Sequence, residues 1–187
     1  MARLIVYHED DFPPDLECQA VSFVRVVWPF VFSGGSRWER HLWRGSWNAV
    51  HFCIVENGVL ISYAAVIETR VDHRGEGYRT CGLSSVFTYP PFRGEGHGRQ
   101  VVDAATRHIR SGGADIAILW CERSLHNFYK EHGWVAVEGA PALIGAKDNP
   151  TIYDDPDHPM MMLFVSEKGE AGRWAFESEP WYVGHTW

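Results

Sequence analysis

The 187-residue chain reads as an α/β (α+β) protein: a mixed central sheet of about seven strands flanked by about four helices. Three observations predict this class. Short apolar runs alternate with segments of helical period along most of the chain. A strand, a Gly-rich loop, a helix and a further strand follow one another between residues 83 and 120. Asn57-Gly58 joins two apolar runs, a strong signal for a two-residue hairpin.

In chain order, residues 3–8 form a first strand. Asp15 or a neighbour caps a helix carrying Leu16, Ala20, Phe23, Val24 and Val27 at helical spacing, and Pro29 stops it. Ser33-Gly34-Gly35-Ser36 is a turn, and residues 37–42 are expected as a second short helix. Strands follow at 50–55 and 59–67. The turn Asp72-His73-Arg74-Gly75-Glu76-Gly77 leads into a strand at 83–88, closed by Pro90-Pro91. A helix over 99–109 ends at Gly112-Gly113. Residues 115–120 are a buried strand, and 124–132 a helix stopped by Gly133. The last two strands are 134–137 and 160–165, with a Pro- and Asp-rich loop between them. No repeat or linker interrupts the chain, so 1–187 is expected as one domain, with a core over 1–165 and an aromatic tail over 166–187.

Composition sets the environment. The residues are 45% hydrophobic and 22% charged, which suits a folded globular protein. A formal charge of −7 disfavours nucleic acid and anionic membrane as partners and suits a cationic substrate. No apolar run approaches membrane-spanning length, and the amino terminus turns acidic at Glu9-Asp10-Asp11, so neither a membrane span nor a secretion signal is expected. Cys18, Cys53, Cys81 and Cys121 form no C-x-x-C pair and read as reduced core residues, which implies a cytoplasmic protein.

The chemistry concentrates at Arg93-Gly94-Glu95-Gly96-His97-Gly98. A glycine-rich turn entering a helix bares backbone N–H groups at the positive end of the helix dipole, a geometry that binds phosphate. A dinucleotide fingerprint would need glycine at 99, where Arg99 stands, and the Gly-Lys-Ser/Thr of a P-loop is absent. Downstream, Leu125, Phe128, Tyr129 and His132 share one helix face, and Phe128-Tyr129 precede Gly133-Trp134.

R-x-x-G-x-G followed about thirty residues on by F-Y-x-x-x-G-aromatic resembles the two signatures of the GNAT acetyltransferases. The resemblance implies acetyl-CoA as co-substrate. It would be held by the strand residues Val86, Phe87 and Thr88 and by Arg93, Gly94, Glu95, Gly96, His97, Gly98 and Arg99. His97, when protonated, would add charge near phosphate. The implied reaction is direct transfer to a neutral amine in a ternary complex, with a backbone N–H beside Ser85 steadying the oxyanion and Tyr129 protonating the departing thiolate. Transfer through Cys81 or Cys121 is the lesser route.

A closer resemblance, carried by Ala64-Ala65-Val66-Ile67, Arg74-Gly75, Arg79-Thr80-Cys81-Gly82, residues 129–134, the Asp-rich loop and the final Trp187, is to the aminoglycoside 2′-N-acetyltransferases. It implies an amino-sugar acceptor, hence antibiotic resistance, a homodimer, and a tail whose terminal carboxylate meets substrate amines. Ser84, Trp120, Asp155, Trp181 and Trp187 are the residues it places at the acceptor; a tail stapled over the core or against a second copy is the competing reading. Two departures narrow the substrate. Ser84-Ser85 stand near where the family carries a glutamate base, and Phe30-Val31-Phe32-Ser33-Gly34-Gly35 lack its aspartates. An acceptor with fewer amines, of the kasugamycin type, fits that loss. The base then falls to Glu122, with Glu68, Asp154, Asp155 and Asp157 as alternatives, or to no residue at all. Asp154-Asp155-Pro156-Asp157-His158 matches no metal-ligand spacing, and no metal is expected. Two other readings are acetylation of another small amine or a peptide amino terminus, and a silent acyl-CoA-binding module.

Overall fold

The computed structural model describes residues 1–43, 45, 47–138, 141–153 and 155–184. The chain divides into two compact units, residues 1–67 with 85–105 and residues 68–84 with 106–187. The strands order as β1-β2-β3-β4-β5-β9-β6 in a seven-stranded mixed sheet, with β10-β7-β8 in a second sheet.

In the first unit, β1 (Arg3–His8), β2 (Val50–Glu56) and β3 (Val59–His73) make an antiparallel meander, with Arg3 opposite Val55 and Val50 opposite Val66. Asn57 (φ 52°) and Gly58 (φ 76°) turn the hairpin, both left-handed as a type I′ turn requires. α1 (Pro14–Val27) lays Leu16, Ala20, Phe23 and Val24 against Cys53, Leu60, Tyr63, Ala65 and Phe87, and the Phe23 and Phe87 rings stack at 4.1 Å. Gln19 fixes the helix to the hairpin: its amide donates to Gly58 O at 2.9 Å and its carbonyl accepts from Leu60 N at 2.9 Å. The expected helix over 37–42 does not form; residues Gly34–Trp38 make a 3-10 turn instead. α1 takes the backbone groups that a helix would have used. Arg25 donates to Arg37 O and Glu39 O, and buried Glu17 accepts from Leu42 N.

In the second unit, β4 (Glu76–Thr88) runs parallel to β5 (Ile116–Trp120) from Thr80↔Ile116 to Gly82↔Ile118. β9 (Met160–Phe164) pairs antiparallel with β5, and β6 (Val135–Ala136) with β9. β3 and β4 are longer than expected, joined at a second two-residue turn by Arg74 (φ 52°) and Gly75 (φ 79°). α2 (His97–Ser111) ends at Gly112-Gly113, and a short α3 (His126–Lys130) ends at Gly133.

The region expected as loop holds the hairpin β7 (Ala142–Ala146) and β8 (Asn149–Tyr153). The expected tail is α4 (Glu167–Ser178) followed by β10 (Trp181–Gly184), which pairs parallel with β7. It is built into the core: Phe176 and Trp181 are buried with Ile116, Ile118, Met162 and Phe164. Four α-helices are thus described as expected, but α4 is the fourth. Asp115 ties this unit together, accepting from Arg79 N at 2.9 Å and from Ser166 Oγ at 2.7 Å, while Ser166 Oγ caps α4 through Gly169 N. Burial pulls the Asp115 carboxyl upward, but the Ser166 and Arg79 hydrogen bonds and the nearby Lys168 and Arg79 charges outweigh it and hold it below its ordinary value.

Candidate active site

The Gly-rich loop lies in the first unit, between the end of β4 and α2. Tyr89 N donates to Ile61 O, and Ser62 Oγ donates to Phe87 O and meets Thr88 Oγ1 at 2.8 Å, so the strand end entering the loop is fixed to β3. Residues Pro90–Phe92 make a 3-10 turn, and Arg93 Nε folds back to donate to Thr88 O. Gly94 (φ 87°) and Gly96 (φ 81°) adopt conformations that cost a side-chain-bearing residue about 1 kcal/mol or more, which is why glycine stands at both. Gln100 N donates to Gly96 O, so Gly96 opens α2 at its positive end. Gly98 lets the helix approach β4: a Cβ there would sit 3.3 Å from Thr88 Oγ1. His97 Nε2 lies 3.2 Å from Glu95 Oε2, and its buried Nδ1 has no hydrogen-bond partner among the described residues. A curled backbone with glycines at its left-handed positions, a helix N-terminus and a buried imidazole nitrogen together fit a phosphate-bearing ligand.

Just before the loop, Ser85 sits in β4 at φ 51°, a left-handed residue inside a strand. A left-handed residue breaks the regular pleat and re-aims the backbone of the strand just before the loop. The ladder with β5 stops at Gly82, so the backbone of residues 84–88 takes no part in it.

In the second unit, the carboxyl end of β5 gathers several of the expected residues. Trp120 packs edge-on to Tyr153 at 5.8 Å. Cys121 N donates to Pro159 O and Arg123 N to Asp157 O, which carries the segment holding Glu122 alongside 157–159. Glu122 is exposed and accepts from Ser124 Oγ at 3.2 Å. Beside them lies a cavity of about 360 Å³ whose lining includes Arg123, Glu138, Tyr153 and Asp155. Its carboxylates are already engaged. Glu138 pairs with Arg123 at 3.0 Å, and Asp155 takes the amides of Asp157 and His158 together with His158 Nδ1. Burial pulls Asp155 upward, but those hydrogen bonds and the His158 charge hold it below its ordinary value. Glu138, Tyr153 and Arg123 were not foreseen as lining residues; Tyr153 comes from the β7–β8 hairpin, which the composition conceals, and Glu138 pairs with Arg123.

Tyr129 is 5% exposed on α3. Its main-chain oxygen accepts from His132 N and Trp134 N, a turn that Gly133 (φ 91°) permits, and Trp134 is anchored by donating to Thr106 Oγ1 at 3.2 Å. Burial, then the neighbouring Cys121, pushes the phenol well above its ordinary value. The surroundings therefore move it away from the thiol range, opposite to the help that proton donation would need. Burial pushes the Cys81 and Cys121 thiols up to about 12, so neither is a ready thiolate nucleophile.

Two residues expected at the acceptor are buried. Trp181 is 2% exposed, its ring 4.9 Å from that of Phe176, so it is a core residue. Ser84 is 3% exposed and presents almost no surface to an acceptor. Trp187 and Asp154 lie outside the described residues. Among those described, no three His, Cys, Asp or Glu side chains group as metal ligands, and no helix is long and apolar enough to cross a membrane.

Residues 7–137 match the family model described as an acetyltransferase (GNAT) domain. Over 102 residues the chain is 26% identical to an aminoglycoside 2′-N-acetyltransferase of Mycolicibacterium fortuitum, covering 54% of this chain and 52% of that protein. The chain thus spans about half the length of the curated relative it matches. The fold is similar to that of Escherichia coli ElaA, with a TM-score of 0.59, 17% identity, and 87% and 99% of the two chains covered. It is similar also to an aminoglycoside 6′-N-acetyltransferase complexed with coenzyme A, with a TM-score of 0.58, 13% identity, and 87% and 97% covered.

Proposed function

We propose, because this chain belongs to the GNAT acetyltransferase family, that it is an N-acetyltransferase that moves an acetyl group from acetyl-CoA to an amine of an aminoglycoside carrying few amino groups, of the kasugamycin type. The observation that carries the donor half is the loop at 93–98, with glycine at its left-handed positions and Gly96 opening α2. Arg93 to Arg99 would hold the pyrophosphate, and the backbone of Val86, Phe87 and Thr88 the acyl arm. Acetyl-CoA, when bound, supplies a thioester-activated acetyl group. The backbone N–H groups beyond Ser85 would steady negative charge on the carbonyl oxygen. As the family resemblance implies, and against the burial that weakens it as an acid, Tyr129 Oη would donate a hydrogen bond and then its proton to the leaving sulfur. Glu122, exposed and hydrogen-bonded to Ser124, takes the proton released by the amine.

The acceptor half rests on the relative of Mycolicibacterium fortuitum and on the cavity beside Trp120. Glu138 and Asp155 are each already paired with a cation or with backbone amides, so little unbalanced negative charge remains for a polycationic substrate. An acceptor with few amines needs little. A homodimer, resistance as the consequence, and a cytoplasmic setting belong to the same proposal, the last resting on four cysteines that form no disulfide. The test is a thiol-release assay with acetyl-CoA over kasugamycin, a gentamicin-type compound and simple amines. Release with kasugamycin well above the gentamicin-type compound is the expected result. Efficient turnover of the gentamicin-type compound with none of kasugamycin would overturn the acceptor assignment, and release with no amine at all would overturn the activity.

A further inference from the structure

We propose that His158, held by Asp155, is a proton relay behind Glu122: it takes the proton that the acceptor amine gives to Glu122 and passes it to water. The role rests on the acetyl transfer proposed above, in which Glu122 is the base. β5 and β9 pair antiparallel, with Trp120 opposite Met160. The pairing runs on past both strand ends, where Cys121 N donates to Pro159 O at 3.4 Å and Arg123 N to Asp157 O at 3.3 Å. Between these two bonds Glu122 keeps an extended backbone, at φ −56° and ψ 142°. Glu122 and His158 therefore stand directly opposite, at the position between two hydrogen-bonded pairs. There the Cβ atoms of facing residues come within about 5 Å on one face of the sheet. It is the face of Trp120 and Met160, and Met160 lines the acceptor cavity with Asp155, Pro156 and Pro159, the neighbours of His158.

The second observation is how the ring is held. His158 Nδ1 lies 3.0 Å from Asp155 Oδ2, while Asp155 Oδ1 accepts from the amides of Asp157 and His158. An ionised carboxylate only accepts, so Nδ1 carries the proton and Nε2 of the neutral ring is left as the acceptor. An exposed pair of this kind adds about 1 kcal/mol or less to stability, which makes the fixed tautomer its larger consequence. The His158 side chain is 44% exposed, so a proton taken up there has a route to water. The other polar groups nearby are turned elsewhere. The Tyr153 hydroxyl donates to His158 O, the Arg123 guanidinium to Pro156 O and Glu138, and Asp157 falls on the opposite face of the strand. An imidazole ordinarily holds a proton about a hundredfold more tightly than a carboxylate, so a proton passes downhill from a glutamate to a histidine beside it. The amine N–H bond breaks and the proton bonds to a Glu122 oxygen. It then moves to His158 Nε2, while Nδ1–H stays on Asp155, and leaves Nε2 for water.

Two measurements on the full chain test the relay. Nitrogen NMR of the imidazoles should show the neutral His158 ring as the Nδ1–H tautomer. In Asp155→Asn the Nε2–H tautomer should take over, because an amide in place of Oδ2 donates to Nδ1. The second measurement is kcat against pH, with saturating acetyl-CoA and the best amine of the release assay above. The parent kcat should fall with acid across about pH 5–8, where histidines ordinarily titrate. His158→Asn keeps an N–H for Asp155 but takes up no proton. Its kcat near neutral pH should fall about tenfold and lose the acid limb, with the KM for acetyl-CoA and the melting temperature unchanged. A merely structural role would instead lower the melting temperature and leave the shape of the profile alone. If His158→Asn fails to fold, Asp155→Asn carries the kinetic comparison and should lose the same limb. An Nε2–H tautomer in the parent, or an unchanged profile in the variant, would overturn the relay and leave the acetyl transfer standing. No thiol release with any amine would overturn the transfer and the relay with it.

Discussion

Tyr129 and Gly133 show what single positions do here. Burial holds the Tyr129 phenol protonated far above neutral pH, so at every working pH it is a hydrogen-bond donor. Tyr129→Phe keeps the ring and its packing while removing the only proton it offers. Removing a general acid costs about 10²- to 10⁴-fold, so kcat should fall at least tenfold with little change in melting temperature. A kcat within twofold of the parent would end the acid assignment. Because the phenol ionises so high, the parent kcat should also show no alkaline fall from this residue below pH 10. Gly133 is a different case. At φ 91°, with a Cβ that would lie 2.6 Å from Arg110 Nη2, alanine there faces both strain and a crowded neighbour. Gly133→Ala should destabilise by about 1–2 kcal/mol, measured by urea unfolding, and a neutral result would mean that Arg110 swings aside freely.

Elements come next, and α4 depends on one cap. Ser166 Oγ accepts from Gly169 N and donates to Asp115, so a single hydroxyl both starts the helix and ties it to the segment before β5. Ser166→Ala should cost about 1–2 kcal/mol, a fall of roughly 2–8 °C in melting temperature for a chain of this size. A change under half a degree would show that the acidic first turn of Glu167 and Glu170 suffices. Legibility followed local chemistry. Asn57-Gly58 announced its hairpin because only certain residues tolerate a type I′ turn, and the strands and α1 to α3 carried clear periods. The β7–β8 hairpin was hidden because β8 is an edge strand of its sheet, where Pro150 and polar residues are tolerated. Residues 37–42 carried a helical pattern, but Arg25 and Glu17 of α1 captured their backbone groups, and no local reading sees such a partner. In the candidate site the loop and Tyr129 were legible as motifs. Glu138 and Tyr153 were not, since the fold alone brings Tyr153 to Trp120 and Glu138 to Arg123. Trp181's burial was not legible, because an aromatic tail looks alike whether it meets a ligand or a core.

At the scale of the whole molecule, buried thiols set an alkaline limit on stability. Burial pushes Cys53, Cys81 and Cys121 up to about 12 from an ordinary value of 9.0. They lie in both units, Cys53 in the first and the other two in the second. A thiol is neutral when protonated, so in the folded chain all three keep their protons while the unfolded chain loses them above pH 9. The unfolded state then binds fewer protons, and stability falls as pH rises from about 9 towards about 12. Each thiol contributes a slope of roughly 1.4 kcal/mol per pH unit, so three together remove about 4 kcal/mol per unit from a total of about 5–15 kcal/mol. Urea unfolding at pH 8 and pH 10 should therefore show a large drop in the unfolding free energy at unchanged structure. Cys81→Ala should lessen that drop by about a third, because it removes one of three equivalent proton losses. Equal stability at the two pH values would mean that the thiols ionise in the folded chain as easily as in the unfolded one, and that one of them is open to act as a nucleophile after all.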